Sequence, residues 1–488
     1  MIPSREVCLR AVASRDARFD GEFFTAVATT RIYCRPSCPA LTPRPENTAF
    51  YPTAAAAQDA GFRACRRCRP DAVPGSAAWD VRADTVARAM RLIGDGLVDR
   101  EGVAGLADRL GYSVRQLQRA LAGELGASPL ALARAQRAHT ARVLLETTTM
   151  PLGEVAFAAG FGSVRSFNDA IRSAYDLTPG ELRTRLQRQP HARPQLGVVE
   201  LRLPFRRPFE PGNLFGHLVA TAVPGVEEWR DGAYRRTLAL PHGPGIVALA
   251  PRPDHVAATL WLTDPRDLTP AIGRCRRLLD LDADPVAVGE TLAADPALAP
   301  LVAAAPGRRV PRSPDGAELA LRMVLGQQVS TAAARTQAGR LAQRLGEPVT
   351  DPAGGLTHLF PAPDAVATLA ADQIPGPRSR AETLIGLAGE LAAGRLDLSE
   401  GADRDEARRT LGALRGIGPW TVELVAMRAL GDPDAFPAGD LGVVRAARKL
   451  GLAGRPGAAD RWRPWRSYAT QYLWAELDHP INRIPEAS

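Results

Sequence analysis

Lysine is almost absent from this chain. Of 61 Lys+Arg residues among 488, Lys449 is the one lysine and the other 60 are arginines. Ala, Gly and Pro are abundant beside Arg, the signature of GC-rich coding, so arginine richness alone does not define a nucleic-acid ligand. The net charge of +8 and pI of about 9.6 do suit a polyanionic partner. Long apolar runs are also missing: no stretch of about 18 uninterrupted apolar residues exists, which excludes a membrane-spanning helix. The start, Met-Ile-Pro-Ser-Arg-Glu-Val-Cys, lacks the apolar core of a secretory signal. Six cysteines are too few for a disulfide scaffold of this size and fit reduced thiols in a cytoplasmic setting.

What is present is ordinary globular material, 45% hydrophobic and 23% charged, long enough for three or four domains with their own cores. Residues 1–75 hold five of the six cysteines and end at a Pro-Gly break, Val73-Pro-Gly-Ser. Residues 80–188 carry apolar positions every three or four residues, as short helices do, and end at a linker-like Gln187-Arg-Gln-Pro-His-Ala-Arg-Pro. Alternation then predicts strands at Val198–Leu203, Arg236–Leu240, Ile246–Ala250 and Ala257–Leu262, with helices from about residue 269. Residues 305–488 are helical again, broken near 307–314, 351–355, 375–378 and 431–440.

Cys34-Arg-Pro-Ser-Cys38 and Cys65-Arg-Arg-Cys68 form two close pairs separated by 26 residues. Pairs so placed can converge on one tetrahedral Zn²⁺. Spacing alone leaves structural and reactive zinc open, and does not say which thiolate would react. The surroundings, Thr29-Thr-Arg-Ile-Tyr-Cys34 and Gly61-Phe-Arg-Ala-Cys65-Arg-Arg-Cys68-Arg-Pro-Asp, resemble the amino-terminal domain of the Ada-type methylation sensor across about residues 16–72. The resemblance implies one Zn²⁺ per chain coordinated by Cys34, Cys38, Cys65 and Cys68. It also implies Cys34 as acceptor of a methyl group from a DNA methylphosphotriester, and phosphate contacts from Thr30, Arg63 and Arg67. Four thiolates on Zn²⁺ carry −2; methylating one leaves −1, so repulsion from DNA falls.

Val103–Leu121 reads as helix, glycine turn at Gly111, Ser113 cap and second helix; Leu152–Ile171 repeats the plan with Gly160 and Ser163, 49 residues on. With Ser173-Ala-Tyr-Asp-Leu-Thr-Pro-Gly-Glu-Leu-Arg after them, the two units resemble the AraC-type DNA-binding domain. That implies second helices in the major groove, with Arg115, Gln116 and Arg119 exposed on the first and Arg165, Ser166 and Asn168 on the second.

In the last third, Leu411–Ala429 contains Gly416-Ile-Gly418, a hairpin able to bring backbone amides close to a DNA phosphate, followed by Asp434-Ala-Phe-Pro-Ala-Gly-Asp440. With Leu325-Gly-Gln-Gln-Val-Ser330 and Trp462-Arg-Pro-Trp-Arg-Ser-Tyr468, this resembles the helix-hairpin-helix DNA glycosylases, specifically the AlkA type of 3-methyladenine glycosylase, over about residues 196–480. The resemblance implies Asp440 as the catalytic carboxylate, Trp420 and Trp474 as walls of the base pocket, Gln328 at the position that enters the duplex, and Gly416 and Gly418 against phosphate. Three positions depart from the family pattern: Leu424 stands for a pocket tyrosine, Gln328 for an apolar wedge and Gly439 for an acidic residue. Trp420 occupies the place of a Schiff-base lysine, which excludes a lyase step there. No four-cysteine cluster follows Asp440, which excludes an iron–sulfur site.

The expected fold class is multidomain, mainly α with α+β parts: 1–76 zinc-binding methyl acceptor, 80–188 double helix-turn-helix, 196–300 α+β domain and 301–488 helix-hairpin-helix glycosylase. The expected function is sensing of DNA alkylation, transcription activation and hydrolytic excision of alkylated purines by a monofunctional glycosylase. Expected partners are double-stranded DNA, alkylated and promoter, and RNA polymerase; the chain is expected to act as a monomer at the nucleoid of a bacterial cytoplasm. One alternative is a regulator whose glycosylase half only binds DNA; another is a repair enzyme with purely structural zinc.

Overall fold

In the computed structural model the described residues are 2–16, 19–38, 40–65, 67–68, 70, 85–186, 198–399, 401–452 and 457–484. The breaks expected at Val73 and from Gln187 to Pro194 lie outside them. The chain divides into two compact units. One comprises residues 1–205, 240–243 and 257–273; the other comprises 206–239, 244–256 and 274–488.

The first unit begins with a four-stranded sheet of β1 (Phe24–Val27), β2 (Ile32–Cys34), β3 (Thr48–Tyr51) and β4 (Arg63–Ala64), in the order β3–β1–β2–β4. β1 is antiparallel to β2, with Thr25 opposite Cys34, and to β3, with Phe24 opposite Tyr51. β4 runs parallel to β2, Ile32 opposite Arg63. Cys8, Ala11, Val12 and Phe23 are buried together on one side, and Phe23 meets Phe50 edge-on at 5.4 Å. The helix Ala54–Asp59 starts at Thr53, whose Oγ1 accepts from Ala56 N at 2.9 Å and donates to Leu125 O at 3.3 Å.

That last bond ties the zinc-site sheet to the helical region. Here the helices are Thr85–Gly94, Leu97–Leu110, Val114–Leu125, Pro129–Thr147, Leu152–Ala158, Val164–Tyr175 and Pro179–Leu186. Both expected turns are present, with φ of 75° at Gly111 and 84° at Gly160, the left-handed region that glycine enters without Cβ strain. Leu117, Leu121 and Leu125 recur every four residues and are fully buried. They share one hydrophobic cluster with Ala55 and Ala56 of the preceding domain.

Five further strands follow: β5 (Val198–Pro204), β6 (Glu227–Arg230), β7 (Ala233–Leu240), β8 (Gly243–Pro251) and β9 (His255–Leu262). The strands expected at 198, 236, 246 and 257 correspond to β5, β7, β8 and β9; β6 is short and charged and lies outside the alternating stretches. In the first unit β5 lies beside β9, and both alternate buried with more exposed residues. In the second unit the order is β8–β7–β6, with Glu227 opposite Arg236 and Trp229 opposite Tyr234. Helices make up the rest, including Gly212–Ala220, Gly316–Leu325, Thr331–Leu345, Arg404–Ala413, Pro419–Arg428, Leu441–Lys449 and Arg466–Ala475. No described helix is long and apolar enough to cross a membrane.

Candidate functional site

The four cysteines converge. Cys34 ends β2 and Cys65 follows β4; the parallel pairing of these strands, extended by Cys65 N donating to Tyr33 O at 2.9 Å, sets the second pair beside the first. The Sγ atoms of Cys34, Cys38, Cys65 and Cys68 all lie within 4.8 Å of one another. Four thiolates at this separation fit a tetrahedral Zn²⁺, whose bonds to sulfur are about 2.3 Å. Sulfur–sulfur contacts push the Cys34 thiol up and the Cys65 thiol down, the response of thiols that cannot all ionise together without a cation. Cys34 and Cys38 are half-buried, whereas Cys65 and Cys68 are buried, so the first pair is the more accessible. Residue Asp20, which sequence reasoning passed over, steadies the loop between Cys34 and Cys38: its carboxylate accepts from Ser37 N at 3.0 Å and Ser37 Oγ at 2.5 Å, and lies 3.3 Å from Arg35. A lone Asp in Phe-Asp-Gly-Glu carries no signal for this.

Thr30 and Arg67 are exposed near this centre. Arg63 is half-buried, and its Nε lies 3.5 Å from Asp176, the residue that caps the helix Val164–Tyr175. Among the groove-reading candidates, Arg115, Arg119 and Arg165 are exposed and Asn168 is half-buried. Gln116 and Ser166 already have local work. The Gln116 carboxamide oxygen accepts from Ser113 N and Oγ at 3.0 and 2.7 Å, completing a capping box, and Ser166 Oγ donates to Ser163 O at 2.8 Å.

In the second unit, three N–H donors converge on Asp440. Trp474 Nε1 and Val443 N donate to Oδ1 at 2.9 and 3.0 Å, and Trp420 Nε1 donates to Oδ2 at 2.9 Å. Asp440 is thus the N-cap of the helix Leu441–Lys449 and at once the meeting point of both expected pocket tryptophans. Trp474 is itself stacked beside His217, ring centroids 6.3 Å apart at 22°. The hairpin has Gly416 at φ 84°, where a Cβ would come within 2.1 Å of Thr383 Oγ1; nothing lies within 4 Å of a Cβ at Gly418, leaving its amide approachable. Gln327 Nε2 donates to Gly416 O at 3.1 Å and so braces the hairpin. Its neighbour Gln328 is exposed and held at φ 58°, a strained placement for a residue with Cβ. Leu424 is buried in the core, and open space surrounds Gly439.

A cysteine-lined zinc centre, paired helix-turn-helix units and a hairpin preceding a tryptophan-held aspartate define a regulator of the DNA-alkylation response joined to a glycosylase fold. Residues 7–71 match the metal-binding domain of Ada, 106–185 a helix-turn-helix domain and 200–315 the AlkA N-terminal domain. The chain is 59% identical, over 98% of its own length and 98% of the other, to the "Probable bifunctional transcriptional activator/DNA repair enzyme AlkA" of Mycobacterium tuberculosis (strain ATCC 25618 / H37Rv). It is 34% identical to DNA-3-methyladenine glycosylase 2 of Escherichia coli (strain K12), covering 56% of this chain and 95% of that protein. The 3-methyladenine DNA glycosylase structure from Archaeoglobus fulgidus superposes with a TM-score of 0.50 at 24% identity, covering 56% of this chain and 97% of that one, which establishes the fold of this part. The chain belongs to the family of bifunctional transcriptional activator/DNA repair enzymes that join Ada-type and AlkA-type domains.

Proposed function

We propose that this protein takes a methyl group from a DNA methylphosphotriester onto Cys34, activates transcription through its two helix-turn-helix units, and hydrolyses the N-glycosidic bond of alkylated purines of the 3-methyladenine type. The observation that carries the glycosylase reading is the clasp on Asp440 by the indoles of Trp420 and Trp474. An alkylated purine is cationic and leaves readily, so the protein has to stabilise positive charge on the sugar and guide water. Water attacks C1′ as the C1′–N bond breaks; the bond pair leaves with the purine and neutralises it, and the water gives up a proton. A fixed carboxylate opposes the charge on C1′, and two indole rings suit a cationic base turned out of the stack.

At the other site the Cys34 sulfur attacks the methyl carbon, an S–C bond forms, the C–O bond breaks, and its electron pair stays on phosphate as a diester anion. Bound Zn²⁺ would keep the four sulfurs deprotonated. Thr30, Arg63 and Arg67 would hold the phosphate, and Gly416, Gly418 and Gln328 would contact duplex at the glycosylase. Double-stranded DNA, damaged and promoter, is the proposed partner, with RNA polymerase contacted by the DNA-bound monomer. Base release from methylated duplex by the full chain, with Asp440→Asn beside it, tests the enzyme; full release by the variant would sink the assigned mechanism. Mass spectrometry after incubation with methylphosphotriester DNA tests the sensor, with one hydrogen-to-methyl gain expected on the peptide carrying Cys34.

A further inference from the structure

Beside Trp420 the second unit holds an open cavity of about 160 Å³ whose lining includes arginines but no carboxylate. Glu227 and Glu318 are buried and shared between two arginines: Arg236 lies 3.1 and 2.7 Å from them, and Arg322, which lines the cavity, 3.1 and 2.8 Å. Two further arginines line the cavity: Arg335, whose Nε donates to Ala222 O at 2.7 Å, and Arg428, which has neither carboxylate. Arg428 is 7% exposed, its Nε donates to Pro311 O at 2.8 Å, and its terminal nitrogens have no hydrogen-bond partner among the described residues. Burial, then repulsion from Arg322, bring it down to about 10, still protonated at neutral pH. Its terminal nitrogens are not sealed off, so they are open to an acceptor, water or ligand, that enters the cavity. Nearby, the His217 Nε2 is buried without a partner, and burial and the Arg428 charge hold that ring neutral.

We propose that Arg428 is a specificity-determining residue of the base pocket: its unpaired guanidinium edge donates to the exocyclic oxygen of a 6-oxopurine, favouring methylated guanine over methylated adenine. This rests on the glycosylase reading and deepens it. Trp420 lines the cavity and its Nε1 donates to Asp440, so one side chain joins the cavity to the proposed reacting centre. Guanidinium donors match the O6 edge of guanine. The amino group of adenine would set donor against donor and leave Arg428 unpaired, and sites built around a polar partner discriminate strongly for that reason.

The test uses the full chain on duplex DNA carrying both 7-methylguanine and 3-methyladenine, each rate taken relative to spontaneous loss at the same site. Replacing a hydrogen bond to a charged group predicts that Arg428→Met lowers acceleration for 7-methylguanine relative to 3-methyladenine by about tenfold or more, with Arg428→Lys in between. Mere destabilisation would lower both alike, so an unchanged ratio overturns the proposal. If the wild-type chain releases neither base, the glycosylase reading fails by itself. The pocket is then read by tryptophan-fluorescence titration with the two free bases. Weakening of 7-methylguanine alone in Arg428→Met sustains the assignment, and equal or no weakening overturns it.

Discussion

Trp474 Nε1 and Asp440 Oδ1 are 2.9 Å apart, and the same oxygen caps the helix Leu441–Lys449. One atom therefore serves a helix terminus and the centre of the proposed active site. Replacing Asp440 by Asn supplies one acceptor oxygen where two indoles each need one. Base release should fall by on the order of a hundredfold to a thousandfold, while the helix cap survives, because Asn also caps helices well, and the stability loss stays within the about 1–3 kcal/mol of one indole donor left without an acceptor. Single-turnover release and equilibrium denaturation on the same preparation separate the two effects.

Trp474→Phe keeps a ring and removes one donor. Loss of a hydrogen bond to a carboxylate costs about 1.5–3 kcal/mol, so release should slow by at least about tenfold. Wild-type rates in this variant would mean that the indole N–H does nothing for the carboxylate.

Zinc content should follow the quartet and ignore the other thiols. Cys68→Ser should lower bound zinc from one equivalent and destabilise the domain, since a structural metal adds its binding energy to folding. Cys275→Ser should leave zinc unchanged: Cys275 is fully buried and no part of the quartet, and burial pushes its thiol up to about 12. Metal analysis of the purified variants decides this.

Acid should expose the buried charge cluster. Burial alone would raise Glu227, but Arg322 and Arg236 more than offset it and hold the carboxyl at about 2, against an ordinary value of 4.5. Between those values the unfolded chain binds a proton that the folded chain does not. The contribution is therefore complete above about pH 4.5 and disappears as pH falls towards 2. Glu227→Gln should flatten that part of the stability profile and cost on the order of 3–5 kcal/mol at neutral pH, because it strands buried guanidinium charge. Thermal melts across the acid range provide the readout.

Arg63 is expected on phosphate, yet in the free chain it faces Asp176 at 3.5 Å. Asp176 sits at φ 56°, a conformation Asn tolerates, so Asp176→Asn removes charge with little strain. With Arg63 half-buried and Asp176 largely exposed, the pair contributes under about 1 kcal/mol to stability. Freed for DNA, Arg63 should steepen the salt dependence of duplex binding by about 0.9 in the log–log slope; an unchanged slope would remove Arg63 from the phosphate contacts.

Much of this was legible in the sequence because its signals are local. The cysteine spacing, the paired Gly111–Ser113 and Gly160–Ser163 turns, and Asp440 ahead of a helix each lie within a few residues. The capping role of Gln116 was legible in kind, since Ser followed three residues later by Gln is a cap signature, but the exposed helix face is the stronger pattern at that position. The cluster of Glu227, Arg236, Glu318, Arg322 and Arg428 was not legible: its members are up to 201 positions apart, and in an arginine-rich chain none stands out until folding removes them from water. β6 was hidden for a related reason, as its charged residues read as surface until Arg236 pairs with Glu227.

The cluster shared by Ala55 and Ala56 with Leu121 and Leu125 has a bearing on how a chemical event could become a transcriptional one. Modules joined by a flexible tether gain avidity only through the concentration that the tether imposes. Modules fused through a common apolar seam have surrendered their relative rotational freedom during folding, so the second contact with DNA loses little further entropy. On the proposed methyl transfer, a change of one unit of charge at the sulfur cluster would then pass into duplex affinity undiluted by linker motion, and polar substitutions in the seam would forfeit the coupling even with the chain intact.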